Sequence, residues 1–260
     1  MEATILDPKK CYTFTNLFQN IKNFSDDVEL RFENNRLYVQ GFDSNHIALF
    51  EIQLLNTWFE EYTVTNECTL GIKSSFLYNV LSCSDKNNTI TLKYTDGSDS
   101  LNITLNHLTK TTSQKSYNLK LFNIDGELLG VPDTDYTADF EIKSIKFQKI
   151  VDELQLFSEI VGVYCDCDKL VFKSDGSFGN VKIEFGIDDL EGLAIEEDAT
   201  IDVTYSLSYI EKMLSFCKLS KLVKMHIQKD IPMKLQYSLD SDDDENNYLR
   251  FYLAPRIEED

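Results

Sequence analysis

The chain has 260 residues, a hydrophobic fraction of 42% and a formal net charge of −19 at pH 7. That length holds one large domain or two of ordinary size, and that apolar content is enough for real cores, which excludes global disorder. No run of about 18 apolar residues is present to cross a bilayer, MEATILDPKK lacks the basic-then-apolar layout of a signal peptide, and acidity of this size argues at first sight against nucleic acid as a partner.

In chain order, the first periodic segment is helical, because Phe14, Leu17, Phe18 and Ile21 fall at i, i+3, i+4 and i+7. VELRFE (28–33) alternates apolar and polar residues with a period of two and predicts a strand. NRLYVQGFDSNHIALFEI (35–52) predicts two more around a small polar turn. A second helix is expected where Phe76, Leu77, Val80 and Leu81 cluster on one side, followed by strands at TITLKY (89–94) and LNITL (101–105). At the midpoint, Tyr117, Leu119 and Leu121 alternate as a strand. A loop with Gly126, Gly130 and Pro132 follows, and alternation resumes at Tyr136, Ala138 and Phe140. That loop carries Leu128, Leu129 and Val131 where polar residues are usual. They either tuck into the core or form an exposed docking surface. A third helical stripe runs through Phe147, Ile150, Val151, Leu154 and Phe157. Strands at DKLVFKSDGSFGNVKIEF (168–185) come next, then a fourth stripe through Leu207, Ile210, Leu214 and Cys217.

The order of elements repeats. The first and third helices each precede a stretch that reads acid or amide, base, leucine, apolar pair, polar turn and second strand; the second and fourth helices follow at similar distances. Two copies of one α+β fold are therefore expected, at 1–118 and 137–260, joined by a connector at 119–136.

Charge is distributed unevenly over these elements. Residues 9–24 hold Lys9, Lys10 and Lys22 and no acid, and residues 207–224 set Glu211 against Lys212, Lys218, Lys221 and Lys224. A helical face biased positive on an acidic body can hold DNA by its phosphates without reading sequence. The search for chemistry returns little. No phosphate-binding glycine loop, zinc-protease motif or nucleophile elbow occurs. DSDDDEN (240–246) has Glu245 where a calcium loop needs glycine and reads better as a charged hairpin. Six cysteines lie scattered, which fits reduced thiols. Cys165 and Cys167 would share one face of a strand. No cofactor or metal is implied.

GFDSNHIALFEI (41–52), LKLFNIDGELLGVPDTDY (119–136), KDIPMKLQY (229–237) and the terminal YLRFYLAPRIEED together resemble the proliferating cell nuclear antigen family of DNA sliding clamps. The resemblance covers the whole chain. It implies a non-catalytic ring of three subunits, each with two like domains, helices lining the hole and sheets outside, encircling double-stranded DNA without sequence preference. It implies a role as polymerase processivity factor in replication and repair, in the nucleus or at the replication site of a large DNA virus. It also implies partners, among them DNA polymerase and the clamp loader, that carry a peptide with a glutamine, an aliphatic residue and two aromatics on one helical turn.

By the same resemblance the peptide groove comprises Phe42, His46, Ile47, Leu49, Leu129, Gly130, Val131, Pro132, Pro232, Tyr252, Ala254, Pro255 and Ile257. Phe42 replaces a methionine frequent in the family. DNA-facing charge is expected from Lys9, Lys10, Lys22, Lys146, Lys149, Lys212, Lys218 and Lys221. Asp152 stands where a base is usual, so phosphate attraction should be weaker than the family's. The strand at 115–122 should pair with 179–185 of the next subunit, with Tyr117, Leu119, Val181 and Ile183 at the interface. Two other readings stay open: a checkpoint-type hetero-ring subunit or a viral processivity factor without a closed ring, and an enzyme with an unrecognised carboxylate site.

Overall fold

The computed structural model describes residues 1–85, 87–108, 114–124, 128–132, 134–241 and 244–256. The first half runs β1 (Glu2–Ile5), α1 (Pro8–Ile21), β2 (Asp27–Phe32), β3 (Arg36–Phe42), β4 (Ala48–Leu55), a 3-10 turn at Asn56–Trp58, β5 (Glu61–Thr63), β6 (Cys68–Lys73), α2 (Ser74–Leu81), β7 (Asn88–Lys93), β8 (Ser100–His107) and β9 (Gln114–Lys120). The second half runs β10 (Ala138–Lys143), α3 (Ser144–Leu154), β11 (Ile160–Cys165), β12 (Lys169–Gly176), β13 (Gly179–Gly186), a 3-10 turn at Ile187–Asp189, β14 (Gly192–Ile195), β15 (Ile201–Ser206), α4 (Leu207–Leu214), β16 (Leu222–Ile227), β17 (Met233–Ser238) and β18 (Tyr248–Leu253). Element for element, the second run repeats the first. The sheet orders repeat too: β5-β1-β7-β8-β9 and β4-β3-β2-β6 have the counterparts β14-β10-β16-β17-β18 and β13-β12-β11-β15. The α+β architecture read from periodicity is thus borne out.

Packing divides the chain into two compact units. One holds Met1–Ser44, Glu51–Leu129 and Leu239–Leu249; the other holds Asn45–Phe50, Gly130–Ser238 and the residues from Arg250 onward. In the first unit α1 and α2 pack together, as α3 and α4 do in the second. α1 buries Cys11, Phe14, Leu17, Phe18 and Ile21. Phe14 meets Phe18 edge-on at 5.1 Å and Trp58 at 6.4 Å. In the second unit Phe172 plays the central part, 5.5 Å from Phe147 and 6.3 Å from Phe140. Truncating Phe14 or Phe172 to alanine would cost about 3–5 kcal/mol, the usual range for a fully buried ring.

Local chemistry corrects several expectations. α1 begins at Pro8, one residue before the segment read as helical, because Asp7 caps it by accepting from the Lys9 and Lys10 amides at 2.6 and 3.1 Å and Pro8 occupies the first turn. Phe76, expected on the packed side of α2, is 62% exposed; Ser74, Leu77 and Leu81 take the buried positions instead. Phe157 lies beyond the end of α3 and is partly exposed. Cys165 and Cys167 do not share a strand face. β11 ends at Cys165, and Asp166 folds the next residues into a turn by accepting from the Asp168 and Lys169 amides, both at 2.9 Å.

β9 ends at Lys120 rather than 122. Phe122 turns inward and its amide donates to the Gly71 carbonyl at 3.1 Å. Only glycine admits this approach, since a Cβ on residue 71 would lie 2.2 Å from the Phe122 carbonyl oxygen.

Candidate functional site

The expected cations lie on or beside the helices of each unit, Lys9, Lys10 and Lys22 in the first and Lys146, Lys149, Lys212, Lys218 and Lys221 in the second. Lys9, Lys146, Lys149, Lys212, Lys218 and Lys221 are exposed, while Lys10 and Lys22 are half-buried. Four of the eight expected cations are steered by aromatic rings. Lys10 Nζ donates to the Trp58 carbonyl at 2.7 Å and lies 5.4 Å from that ring's centre. Lys22 sits 4.1 Å over Tyr78, Lys146 4.6 Å over Phe185 and Lys212 5.2 Å over Tyr209. Each such contact is worth about 0.5–1 kcal/mol at an exposed site, which restrains the ammonium without neutralising it. The spacing of the lysines along the chain carries no sign of the rings that hold them.

The second surface is apolar. Tyr38, Gln40 and Phe42 alternate onto one face of β3. Leu129 is 48% exposed, and its backbone is held by Gln40: the Leu129 amide donates to Oε1 at 2.9 Å and Nε2 donates to the Leu129 carbonyl at 3.0 Å. Gln40 Nε2 also donates to the Tyr38 hydroxyl at 3.1 Å, and that hydroxyl donates to Glu51. Burial and the Glu51 carboxylate hold the Tyr38 phenol well above its ordinary pKa, so it remains a donor. Gln40 is the residue that sequence reading missed here. Its only sequence signal is that it shares a strand face with Phe42.

The other residues expected in a peptide groove belong to the second unit. His46 has a positive φ of 56°, and Ile47 beside it is exposed. Leu49 is buried within β4. Gly130 and Pro132 are exposed and Val131 is half-buried. Pro232 is exposed, and its carbonyl accepts from the Tyr136 hydroxyl at 3.3 Å. The Tyr136 ring lies 5.6 Å from His226 and 5.0 Å from Lys234 Nζ, and burial pushes its phenol up to about 12. Tyr252 and Pro255 are half-buried and Ala254 is exposed. The Arg256 amide donates to the Thr204 carbonyl at 2.8 Å and fixes the tail on β15. Ile257 lies outside the described residues.

Among the strands that end sheets are β9 in the first unit and β13 in the second. Tyr117 is half-buried on β9, and its hydrogen bond with Cys83 raises its phenol pKa. Leu119 is buried, opposite Leu101 of β8. Val181 and Ile183 are half-buried on β13, on the same face as Phe185.

No group of His, Cys, Asp or Glu among the described residues could hold a metal ion, and no helix is long and apolar enough to cross a membrane. Asp244 in the acidic hairpin is spent locally, accepting from the Asn246 amide at 2.9 Å and the Asn247 side chain at 2.7 Å.

With this geometry in hand, comparison with known proteins gives a consistent result. The family model described as proliferating cell nuclear antigen, N-terminal domain, matches residues 7–128, and the one for the C-terminal domain matches residues 130–256. The proliferating cell nuclear antigen of Chaetomium thermophilum is 31% identical over 248 residues, covering 92% of this chain and 93% of the relative. That of Caenorhabditis elegans is 28% identical over 250 residues, covering 94% and 93%.

Proposed function

The chain belongs to the proliferating cell nuclear antigen family of DNA sliding clamps and processivity factors, and from that premise we propose that three copies close head to tail into a ring around duplex DNA. The observation that carries this reading is the duplicated topology, in which β9 and β13 are among the strands that end their sheets. A strand edge left open presents unpaired backbone donors and acceptors. Pairing β9 of one copy with β13 of the next satisfies both, and it is a heterologous contact that can close into a ring. Tyr117, Leu119, Val181 and Ile183 lie along these strands. The lysines of α1, α3 and α4 and their flanking turns face phosphate without reading bases.

Partner proteins, including a DNA polymerase and a clamp loader, dock through a glutamine-and-aromatic peptide. It seats on Phe42, His46, Ile47, Leu49, the Leu129–Pro132 segment, Pro232 and the tail from Tyr252 to Ile257. Such a site combines an apolar surface with backbone groups at its rim. The protein performs no chemistry of its own and works where DNA is replicated, in the nucleus or at a viral replication site.

The test is solution mass together with capture on nicked circular DNA. A mass three times 30.0 kDa, and loss of the protein from DNA on linearisation, are expected. A monomer that stays bound after linearisation would instead favour a processivity factor without a ring. A requirement for a second chain would favour a hetero-ring.

A further inference from the structure

Tyr209 lies on α4, the helix that also carries Lys212, and only 8% of it is exposed. Its ring and its hydroxyl face different functional elements. Lys212 Nζ stands 5.2 Å over the ring. The hydroxyl accepts a hydrogen bond from Asn45 Nδ2 at 3.0 Å. Asn45 belongs to the loop between β3 and β4 and directly precedes His46, whose φ of 56° lies in the left-handed region that side-chain-bearing residues seldom adopt. A backbone held there must be fixed by its surroundings. A phenol withdrawn from water needs a partner for its hydroxyl, so the Asn45 contact serves both ends: it satisfies Tyr209 and fixes the residue before His46.

We propose that Tyr209 is a positioning residue for partner recognition. Its hydroxyl holds Asn45, and through it His46 and Ile47, in the conformation that receives the partner peptide. Because the same ring carries Lys212, the loop is linked to the cation on α4. Phosphate that draws Lys212 off the ring acts on the element that holds the loop, and by linkage a bound peptide acts back on DNA affinity. The inference rests on the groove reading above, since it concerns the loop that supplies His46 and Ile47. It adds a residue that lies outside the groove and makes no contact with the peptide.

The experiment measures binding of a synthetic glutamine-and-aromatic peptide by calorimetry, with and without a DNA duplex present. Tyr209→Phe keeps the ring and its contact with Lys212 and removes only the hydroxyl. Loss of one hydrogen bond predicts peptide affinity weaker by about 2- to 12-fold. Asn45→Ala, in an exposed loop, should give the same loss. The double variant should lose no more than either single one, because both break one interaction. Lys212→Ala takes the cation off the ring permanently, so it should bring peptide affinity without DNA to the value that DNA produces in the unaltered chain and abolish any further change with DNA; a merely structural role for Tyr209 would not yield that match.

Unchanged affinity in Tyr209→Phe, or losses that add in the double variant, would overturn the proposal while leaving the groove intact. If Tyr209→Phe fails to fold, Asn45→Ala alone decides. Absence of peptide binding by the unaltered chain, or binding that survives Val131→Asp, would overturn the groove reading and this inference with it.

Discussion

Gln40 is predicted to hold the connector in place. Its carboxamide makes two hydrogen bonds to the Leu129 backbone, at 2.9 and 3.0 Å. Its orientation is set by a third bond to Tyr38, which is itself held by Glu51. Gln40→Ala removes both bonds to Leu129. A net value of about 0.5–1.5 kcal/mol per hydrogen bond, taken at the low end because the site is exposed, gives about 1–2 kcal/mol. That corresponds to about a 5- to 30-fold shift toward the released connector. Exchange protection of the Leu129 amide should fall by that factor, because its acceptor is gone. Peptide affinity should fall by up to the same factor if the docked connector is the binding-competent state. Gln40→Glu keeps an acceptor for the Leu129 amide but loses the donor to its carbonyl, so an intermediate effect is expected. The assays are hydrogen exchange at Leu129 and calorimetry with the peptide. Unchanged protection at Leu129 in Gln40→Ala would refute the reasoning, whatever happened to the peptide.

Tyr117→Ala should weaken self-association, because it strips the half-buried aromatic from the β9 edge; sedimentation at micromolar concentration should show dissociation, and an unchanged trimer would sink the assignment of that edge. Lys149→Ala should lower the slope of log affinity for duplex DNA against log salt by about 1, the amount expected for one phosphate contact; an unchanged slope would show that Lys149 does not face phosphate. Thiol alkylation at pH 8 should label Cys167 quickly in its exposed turn and spare Cys11 and Cys165. Burial pushes these two up to about 12 and about 11. A raised thiol pKa leaves the reactive thiolate scarce below it, about one part in ten thousand for Cys11 at pH 8. Mass analysis of the intact chain reads the result, and early labelling of Cys11 would contradict its burial.

Much of the fold was legible because its elements follow clean periods. β2 and β8 bury alternate residues, β13 alternates half-buried with exposed ones over most of its length, and the four helices bury stripes, so the duplicated order could be read without coordinates. What escaped was decided by contacts outside those periods. Alternation alone puts Cys165 and Cys167 on one strand face, but the Asp166 carboxylate captures two amides and ends the strand. Phe76 satisfied an apolar pattern on α2, yet eight residues offer a narrow buried stripe that Ser74, Leu77 and Leu81 already fill. The groove residues were legible only through resemblance. Periodicity carries no information about Gln40 reaching Leu129, 89 positions along the chain, or Asn45 reaching Tyr209, 164 positions away.

The sparse cations on the helices also follow from the proposed mode of action. A protein held on DNA by contact energy alone needs many phosphate contacts, and its affinity falls steeply with salt. A closed ring is held by topology, so dissociation requires an interface to open rather than ion pairs to break. Strong phosphate contacts would then add friction to sliding and little retention. A chain with −19 net charge, Asp152 and Glu153 exposed on α3, and half of its eight expected cations steered by aromatic rings is poorly equipped for the first mode and adequate for the second. The two modes respond oppositely to one perturbation. For a ring, weakening the β9 edge should shorten residence on nicked circles far more than removing a lysine does. For a protein bound by charge, the order should be reversed.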